Sequence, residues 1–323
     1  MSLISKNKIK ILTDFKSNLE MFNLDNKNLD MIKKNFNGNV IIEFLDLKKI
    51  KKNYDADIYW GTRINNDIIK RITNLKWIHF GSVGVDKIDL EFTKINNIKV
   101  TNSKGINTDA MINLIIYYLI DTSKKITFLK KENNRTDYEK LFSNCKDLSK
   151  QKICILGYGR ISKKLEKYLN LSNINYYYFS RRVFNSKKII NEKDFLKSLH
   201  NFDTIINLLK ADKKNINFLN MKLFKKMKIA INLILVGRIS TINLKDLHIF
   251  LSQNKKSYCY IDGIPTEENY HLFNKINKLK NTFISPHIGG YFKEYWNIQN
   301  NLFQRNLFLY LNKKKLINEI TNL

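Results

Sequence analysis

The sequence predicts an α/β protein with two parallel-sheet domains. Short apolar runs alternate with amphipathic stretches along the whole chain. The strand-like runs form two series, each interleaved with helical segments that can serve as crossovers between parallel strands. At 323 residues the chain is long enough for two ordinary domains.

Taken in order, the first series of strands is expected at 9–13 (IKILT), 40–44 (VIIEF), 57–61 (DIYWG), 76–80 (KWIHF) and 98–102 (IKVTN). The second is expected at 152–157 (KICILG), 175–180 (NYYYFS), 203–209 (DTIINLL), 229–235 (IAINLIL), 258–263 (YCYIDG) and 282–285 (TFIS). These are β-branched and aromatic runs of strand length. Helices are expected at 66–74, 107–123, 160–170, 193–199, 220–227 and 243–252. Leu165, Tyr168 and Leu169 give the third of these an apolar face at helical spacing. The polar stretch 123–151 reads as a surface excursion. Phe292, Tyr295, Trp296, Leu302, Phe303 and Leu307 supply a buried face for a C-terminal helix.

Composition narrows the function. The longest apolar run, LIIYYLI at 114–120, is far too short to span a bilayer. The start lacks the apolar core of a signal peptide. Cys145, Cys154 and Cys259 match no metal or disulfide spacing. A reducing, cytoplasmic setting without a metal site is the expectation. The formal charge of +28 points at face value to nucleic acid, yet only eight of the 57 basic residues are Arg. Asn makes up roughly one residue in seven, well above ordinary usage. Lys, Asn and Ile share AT-rich codons, so codon bias accounts for the charge. Phosphate-reading surfaces favour the Arg fork, which is scarce here, so no nucleic-acid partner is expected.

The same bias makes the glycines informative, since most fall in a few clusters around residues 81–84, 105, 157–159, 237, 263 and 289–290. ILGYGRIS (155–162) reads as strand, glycine turn and helix. Gly157 permits the tight turn and Gly159 the close approach of a pyrophosphate, while Ser162 replaces the usual third glycine. Eighteen residues after Ser162, where a ribose-binding acid is usual, stand Ser180, Arg181 and Arg182. Two guanidiniums suit a 2′-phosphate, so NADPH is favoured over NADH. Arg238, Glu267 and His287 lie beyond three strands of the second series. An Arg can clamp a carboxylate, a His can deliver a proton, and a neighbouring Glu favours the protonated His. Those are the parts of a keto-acid reductase.

Together HFGSVGVDKID (79–89), VTNSKGINTDAM (100–111), ICILGYGRIS (153–162), VGRISTINLKDL (236–247), IDGIPTEE (261–268) and SPHIGGYFKE (285–294) resemble the D-isomer-specific 2-hydroxyacid dehydrogenases over essentially the full length. That family includes glyoxylate/hydroxypyruvate reductases. The resemblance implies His287 as the acid/base, Glu267 as its partner, and Arg238 as the binder of the substrate's carboxylate and carbonyl. The amides of Val83 and Gly84 would assist Arg238. It places Thr108, Gly157, Gly159, Arg160, Ile161, Asp262 and Gly289 at the cofactor; Val236 and the strand-end residues Ser180, Arg181 and Arg182 complete the expected cofactor-binding set. It implies two Rossmann/flavodoxin-like domains with the active site in the cleft between them. The substrate domain would be 1–101 completed by 291–323, and the dinucleotide domain 102–290. A homodimer and a small 2-oxo acid substrate, glyoxylate or hydroxypyruvate first, are further implications. A regulatory or binding protein on the same fold is the alternative. The sequence departs from the family pattern at Ile239 (usually Gly), Glu268 (usually Pro), Asn113 (usually Glu) and Lys210 (usually Pro). None of these removes a member of the triad.

Overall fold

The computed structural model describes residues 8–16, 23–45, 52–85, 88–128, 145–182, 184 and 186–320. The chain divides into one unit of Met1–Ile106 with Phe292–Leu323 and a second of Asn107–Tyr291.

The first unit is a parallel sheet of β1 (Ile9–Thr13), β2 (Val40–Phe44), β4 (Ile58–Gly61), β6 (Trp77–Phe80) and β7 (Lys99–Asn102) in the order β2-β1-β4-β6-β7. A flavodoxin-like order of this kind leaves strand carboxyl ends as the ligand edge. Alternate residues bury opposite faces, as the pleat requires. Leu12, Tyr59, Ile78 and Phe80 pack on one side. Ile11, Ile58, Trp60 and Trp77 pack on the other, against Phe303 and Leu307 of the C-terminal helix Tyr295–Leu311. Trp60 and Phe303 stack at 4.0 Å. Most of that helix's buried face is polar: Gln299, Asn300, Gln304 and Asn306 lie on it beside Phe303 and Leu307. A relay of amides satisfies part of it, running from Asn35 to Gln304 (2.6 Å), Asn300 (3.0 Å) and Asn28 (2.6 Å).

The expected helix 66–74 is one turn, Asn66–Ile69. Arg71 closes it by donating to Ile68 O. The β-branched pair Ile72–Thr73 then forms β5, which pairs with β3 (Tyr54–Asp55). Helices Asn26–Asn35 and Leu90–Ile95, capped by Asp25 and Asp89, add to the expected set.

The second unit is a seven-stranded parallel sheet of β8 (Lys152–Leu156), β9 (Asn175–Phe179), β10 (Ile189–Ile190), β11 (Thr204–Asn207), β12 (Asn232–Leu235), β13 (Tyr258–Asp262) and β14 (Thr282–Ser285). Its order is β10-β9-β8-β11-β12-β13-β14, the doubly wound arrangement with its switch point between β8 and β11. Both faces are apolar, which explains the unbroken hydrophobic runs. Strand β11 ends at Asn207; Leu208 N still donates to Leu156 O at 3.0 Å, and the carbonyls of Leu208 and Leu209 lie close to Gly157 and Gly237. Strand β12 begins only at Asn232, where the ladder with β11 starts. The helices expected at 220–227 and 193–199 are Met221–Phe224 and Glu192–Ser198, and Tyr270–Asn277 is an additional one.

The stretch 123–151 is not simply surface. Phe128 is buried against Tyr258 and Tyr260, with centroids 4.7 and 5.3 Å away. Gln151 is buried and accepts from Thr204 Oγ1 at 2.8 Å. Residues 129–144 of that stretch lie outside the described residues, as do Asp86 and Lys87. Among the described residues no helix is long and apolar enough to cross a membrane, and no cluster of metal-ligating side chains occurs.

Candidate active site

In the second unit, strands β8, β11, β12, β13 and β14 are consecutive neighbours whose carboxyl ends lie along one edge. Their register pairs Leu156 with Asn207, Asn207 with Leu235, Leu235 with Ile261, and Ile261 with Ile284. Gly157, Arg238, Asp262 and His287 follow these ends. Arg238 and His287 follow strands two positions apart in the sheet, and strands so placed lie about 10 Å apart.

Gly157 has φ +103°, a conformation open to glycine. Ser162 ties the turn together: its hydroxyl donates to Gly157 O at 2.7 Å and accepts from Gly159 N at 3.4 Å. The serine therefore packs where a third glycine is usual and adds a hydrogen bond. A side chain at Gly159 would meet open space. Helix Arg160–Leu171 starts without a side-chain cap, so the amides of Arg160 and Ile161 are available to an anion. This turn fits the pyrophosphate of a dinucleotide.

The two arginines beyond β9 differ. The guanidinium of Arg181 donates to Asn215 Oδ1 at 2.6 Å and Lys214 O at 3.2 Å, pairs with Glu192 at 3.6 Å, and lies 5.0 Å over the Phe218 ring. The Arg182 side chain is exposed and has no partner among the described residues; its amide donates to Ser180 Oγ at 3.1 Å. Of the two arginines, Arg182 is the one left unpaired among the described residues.

Arg238 follows Val236, which is buried, and Gly237, where a Cβ would sit 2.9 Å from Leu209 O. Only glycine lets β12 pass so close to the Leu208–Leu209 turn. The Arg238 carbonyl accepts from Thr241 Oγ1 at 2.6 Å, and Thr241 Oγ1 in turn accepts from Asn207 Nδ2 at 2.8 Å. This buried relay anchors the Arg238 backbone to the end of β11. Ile239 fills the space over Gly263, where a Cβ would lie 2.6 Å from Ile239 Cδ1. The larger residue after Arg238 is accommodated by that glycine.

His287 is exposed and has φ +56°, unusual for a residue with a side chain. Its conformation is held by Asp262, which is buried. Asp262 Oδ1 accepts from Ser285 Oγ at 2.5 Å and Ile288 N at 2.8 Å, and Oδ2 accepts from Gly289 N at 3.0 Å. The Tyr118 hydroxyl bonds Ser285 Oγ at 2.7 Å. Gly289 leaves no room for a Cβ, which would lie 2.8 Å from Asp262 Oδ2, Leu114 and Met111. Thr108 is buried at the start of the helix Thr108–Lys124 that supplies those contacts. Glu267 is exposed in the turn Glu267–Asn269, and no ion pair or hydrogen bond joins it to His287.

In the first unit, Val83 and Gly84 follow β6. Every carbonyl from Phe80 to Gly84 is held. Phe80 O accepts from Ser103 Oγ (2.7 Å), Gly81 O from the Tyr295 hydroxyl (2.6 Å) and Ser82 O from Ser103 N (3.0 Å). Val83 O accepts from Asn102 Nδ2 (2.7 Å) and Gly84 O from Ser82 Oγ (2.9 Å). The amides of Ser82, Val83 and Gly84 find no acceptor among the described residues. Such a run of N–H groups is suited to an anion.

Residues 116–289 match the family described as D-isomer specific 2-hydroxyacid dehydrogenase, NAD binding domain. The chain belongs to this family. Among curated relatives, the D-3-phosphoglycerate dehydrogenase 1 of Saccharomyces cerevisiae is 22% identical over 265 residues, 76% of this chain and 55% of the yeast protein. The chain thus spans about half the length of that relative. The glyoxylate reductase of Thermococcus litoralis is 25% identical over 248 residues, 71% of each chain. Among solved structures, an NADPH-dependent glyoxylate/hydroxypyruvate reductase from Sinorhizobium meliloti, in complex with NADP and malonate, superposes with a TM-score of 0.78 at 15% identity. That match covers 98% of this chain and 97% of the other. The D-lactate dehydrogenase of Aquifex aeolicus, with NAD and lactic acid, gives 0.77 at 16% identity over 94% and 96%.

For a D-2-hydroxyacid dehydrogenase chain, the sequence reading missed Asn207, Thr241, Ser285, Tyr118 and Tyr295. Thr241 and Tyr295 hold the carbonyls of Arg238 and Gly81, Ser285 holds Asp262, and Asn207 and Tyr118 act one step back, on Thr241 and Ser285. Asn207 carried a signal, being a carboxamide inside the apolar run of β11. The others are ordinary residues in ordinary contexts until the fold brings them to a turn.

Proposed function

We propose that this chain is an NAD(P)H-dependent reductase of small 2-oxo acids, with glyoxylate and hydroxypyruvate as the first substrates to try. The observation that carries the reading is the Asp262 clamp. A buried carboxylate is spent on holding an exposed histidine in an unfavourable backbone conformation, at a strand end two positions from an arginine. Strained backbone with a dedicated support marks functional positions.

In this reading Arg238 draws the substrate's carboxylate and carbonyl oxygen to the edge of the sheet, and the amides of Val83 and Gly84 receive the carboxylate. His287 in its protonated form gives its proton to the carbonyl oxygen. A reduced nicotinamide, when bound, would supply the hydride to the carbonyl carbon, giving glycolate from glyoxylate and a D-2-hydroxy acid from a larger 2-oxo acid. Glu267 is the residue to pair with the imidazolium. The turn Gly157–Gly159 and the amides of Arg160 and Ile161 would hold the pyrophosphate. Arg182 would meet a 2′-phosphate, which favours NADPH, while Arg181 braces the strand end.

Oxidation of NADPH and NADH is measured against glyoxylate, hydroxypyruvate, pyruvate and bulkier 2-oxo acids. Turnover of a small 2-oxo acid that is abolished by His287→Gln supports the reading. No turnover across the panel with either cofactor overturns it.

A further inference from the structure

We propose that the anion receptor after β6 has three amides rather than two, and that the Tyr295 hydroxyl is the positioning group for the first of them. The inference rests on the reductase reading above, and gives the substrate carboxylate a third donor, Ser82 N–H.

The argument is one of peptide geometry. In a trans peptide the C=O of one residue and the N–H of the next point in opposite directions from one rigid plane. Fixing a carbonyl therefore fixes the following amide. Ser103 N holds Ser82 O and so sets Val83 N–H; Asn102 Nδ2 holds Val83 O and so sets Gly84 N–H. Tyr295 OH holds Gly81 O at 2.6 Å and so sets Ser82 N–H. The peptide that Tyr295 controls is the one most in need of control, because it leaves a glycine, whose ψ is otherwise the least restricted in the loop. Gly81 must be glycine here: a Cβ would lie 2.4 Å from Phe15 Cζ and 2.9 Å from Gln299 Nε2. Phe15 and the helix residue Gln299 exclude a side chain at 81, and Tyr295, one turn before Gln299 on that helix, supplies the hydroxyl that replaces the lost restraint. Tyr295 is itself braced edge-on by Trp296, with centroids 5.5 Å apart.

The test compares wild type with Tyr295→Phe, which deletes only the hydroxyl, and with Asn102→Ala, which frees the Gly84 amide by the same logic. Oxalate, a dicarboxylate without a reducible carbonyl, is titrated calorimetrically into each cofactor-free protein, and KM and kcat are measured for glyoxylate and NADPH. The expected result for both variants is oxalate binding and glyoxylate KM weakened five- to twentyfold. NADPH KM should be unchanged and kcat should lie within about threefold of wild type. A merely structural role would lower the melting temperature without splitting KM from kcat. Oxalate affinity that Tyr295→Phe leaves within twofold overturns the role of Tyr295. No oxalate binding by wild type overturns the receptor itself. Oxalate binding lost in the variants, in a protein that reduces no 2-oxo acid, supports the receptor and removes the reaction assigned to it.

Discussion

Asp262 Oδ2 accepts the backbone N–H of Gly289 at 3.0 Å, and the other oxygen of the same carboxylate accepts the N–H of Ile288 at 2.8 Å. The two amides immediately after His287 are thereby tied to the end of the neighbouring strand. Asp262→Asn keeps the shape but replaces one acceptor by a donor facing an N–H. The expected outcome is a kcat lowered about 10- to 100-fold and a stability loss of about 1–3 kcal/mol, with cofactor affinity changed less. Steady-state kinetics and denaturant unfolding check it. A variant with the wild-type kcat would show that the clamp does not serve catalysis.

His287→Gln removes the proton donor and leaves the turn, whose bonds to Asp262 come from Ser285 Oγ and the amides of Ile288 and Gly289, not from the imidazole. Turnover is expected to fall by about 10²–10⁴ while NADPH binding, measured by fluorescence, stays within about threefold. A near-wild-type rate would remove His287 from the mechanism.

Arg181 and Arg182 are predicted to behave differently although they are adjacent. Arg182→Ala should raise the KM for NADPH about tenfold or more and that for NADH less than twofold, the loss of one charge-assisted contact. Arg181→Ala breaks contacts with Asn215, Lys214 and Glu192, so it should lower the melting temperature and weaken both cofactors alike. Equal effects of Arg182→Ala on the two cofactors would refute the 2′-phosphate role.

That pair also marks the limit of what the sequence carried. The strand series, TFIS at 282–285 and the glycine turn at 157–159 were legible because apolar runs and glycine report local backbone demands. The division of labour between Arg181 and Arg182 was not, because it depends on Asn215 and Glu192, which only the fold delivers. Helix Asn26–Asn35 was hidden by composition: NKNLDMIKKN offers few apolar residues, and the helix buries a carboxamide, Asn28, beside Ile32. The helix expected at 66–74 overran because an amphipathic period does not reveal that two β-branched residues will find a strand to pair with.

Lys125 gives a stability prediction. It is buried, donates to Asn232 Oδ1 and lies 4.3 Å over the Tyr258 ring; burial pulls its pKa down to about 7. An unfolded lysine titrates near 10.5. Between those values the unfolded chain holds a proton that the folded chain gives up, so this group makes stability rise with pH from about 7 to 10.5. Lys125→Met should abolish that rise. Its melting temperature relative to wild type should therefore be highest at neutral pH and decline toward pH 10. A difference independent of pH would contradict the lowered pKa.

His79 predicts the acid limb. It is fully buried between Trp77 and Phe303, and burial lowers its pKa from 6.5 to about 3. Thr101 Oγ1 accepts from Trp77 Nε1 at 2.8 Å and lies 2.7 Å from His79 Nδ1. Its other acceptor, Ile78 O, is 3.5 Å away. Nε2 of the buried ring has no hydrogen-bond partner among the described residues. Protonation would place a charge in this buried site with no counter-charge bonded to it. Below pH 6.5 the unfolded chain takes up a proton that folded His79 refuses until about pH 3, so stability falls as pH drops through that window. The full slope is about 1.4 kcal/mol per pH unit. His79→Phe should flatten it, and comparing the two proteins cancels the contribution of Asp14, whose pKa burial raises in both. Urea unfolding of wild type and variant at pH 7, 5.5 and 4 measures the difference. Parallel curves would mean that His79 is not held neutral.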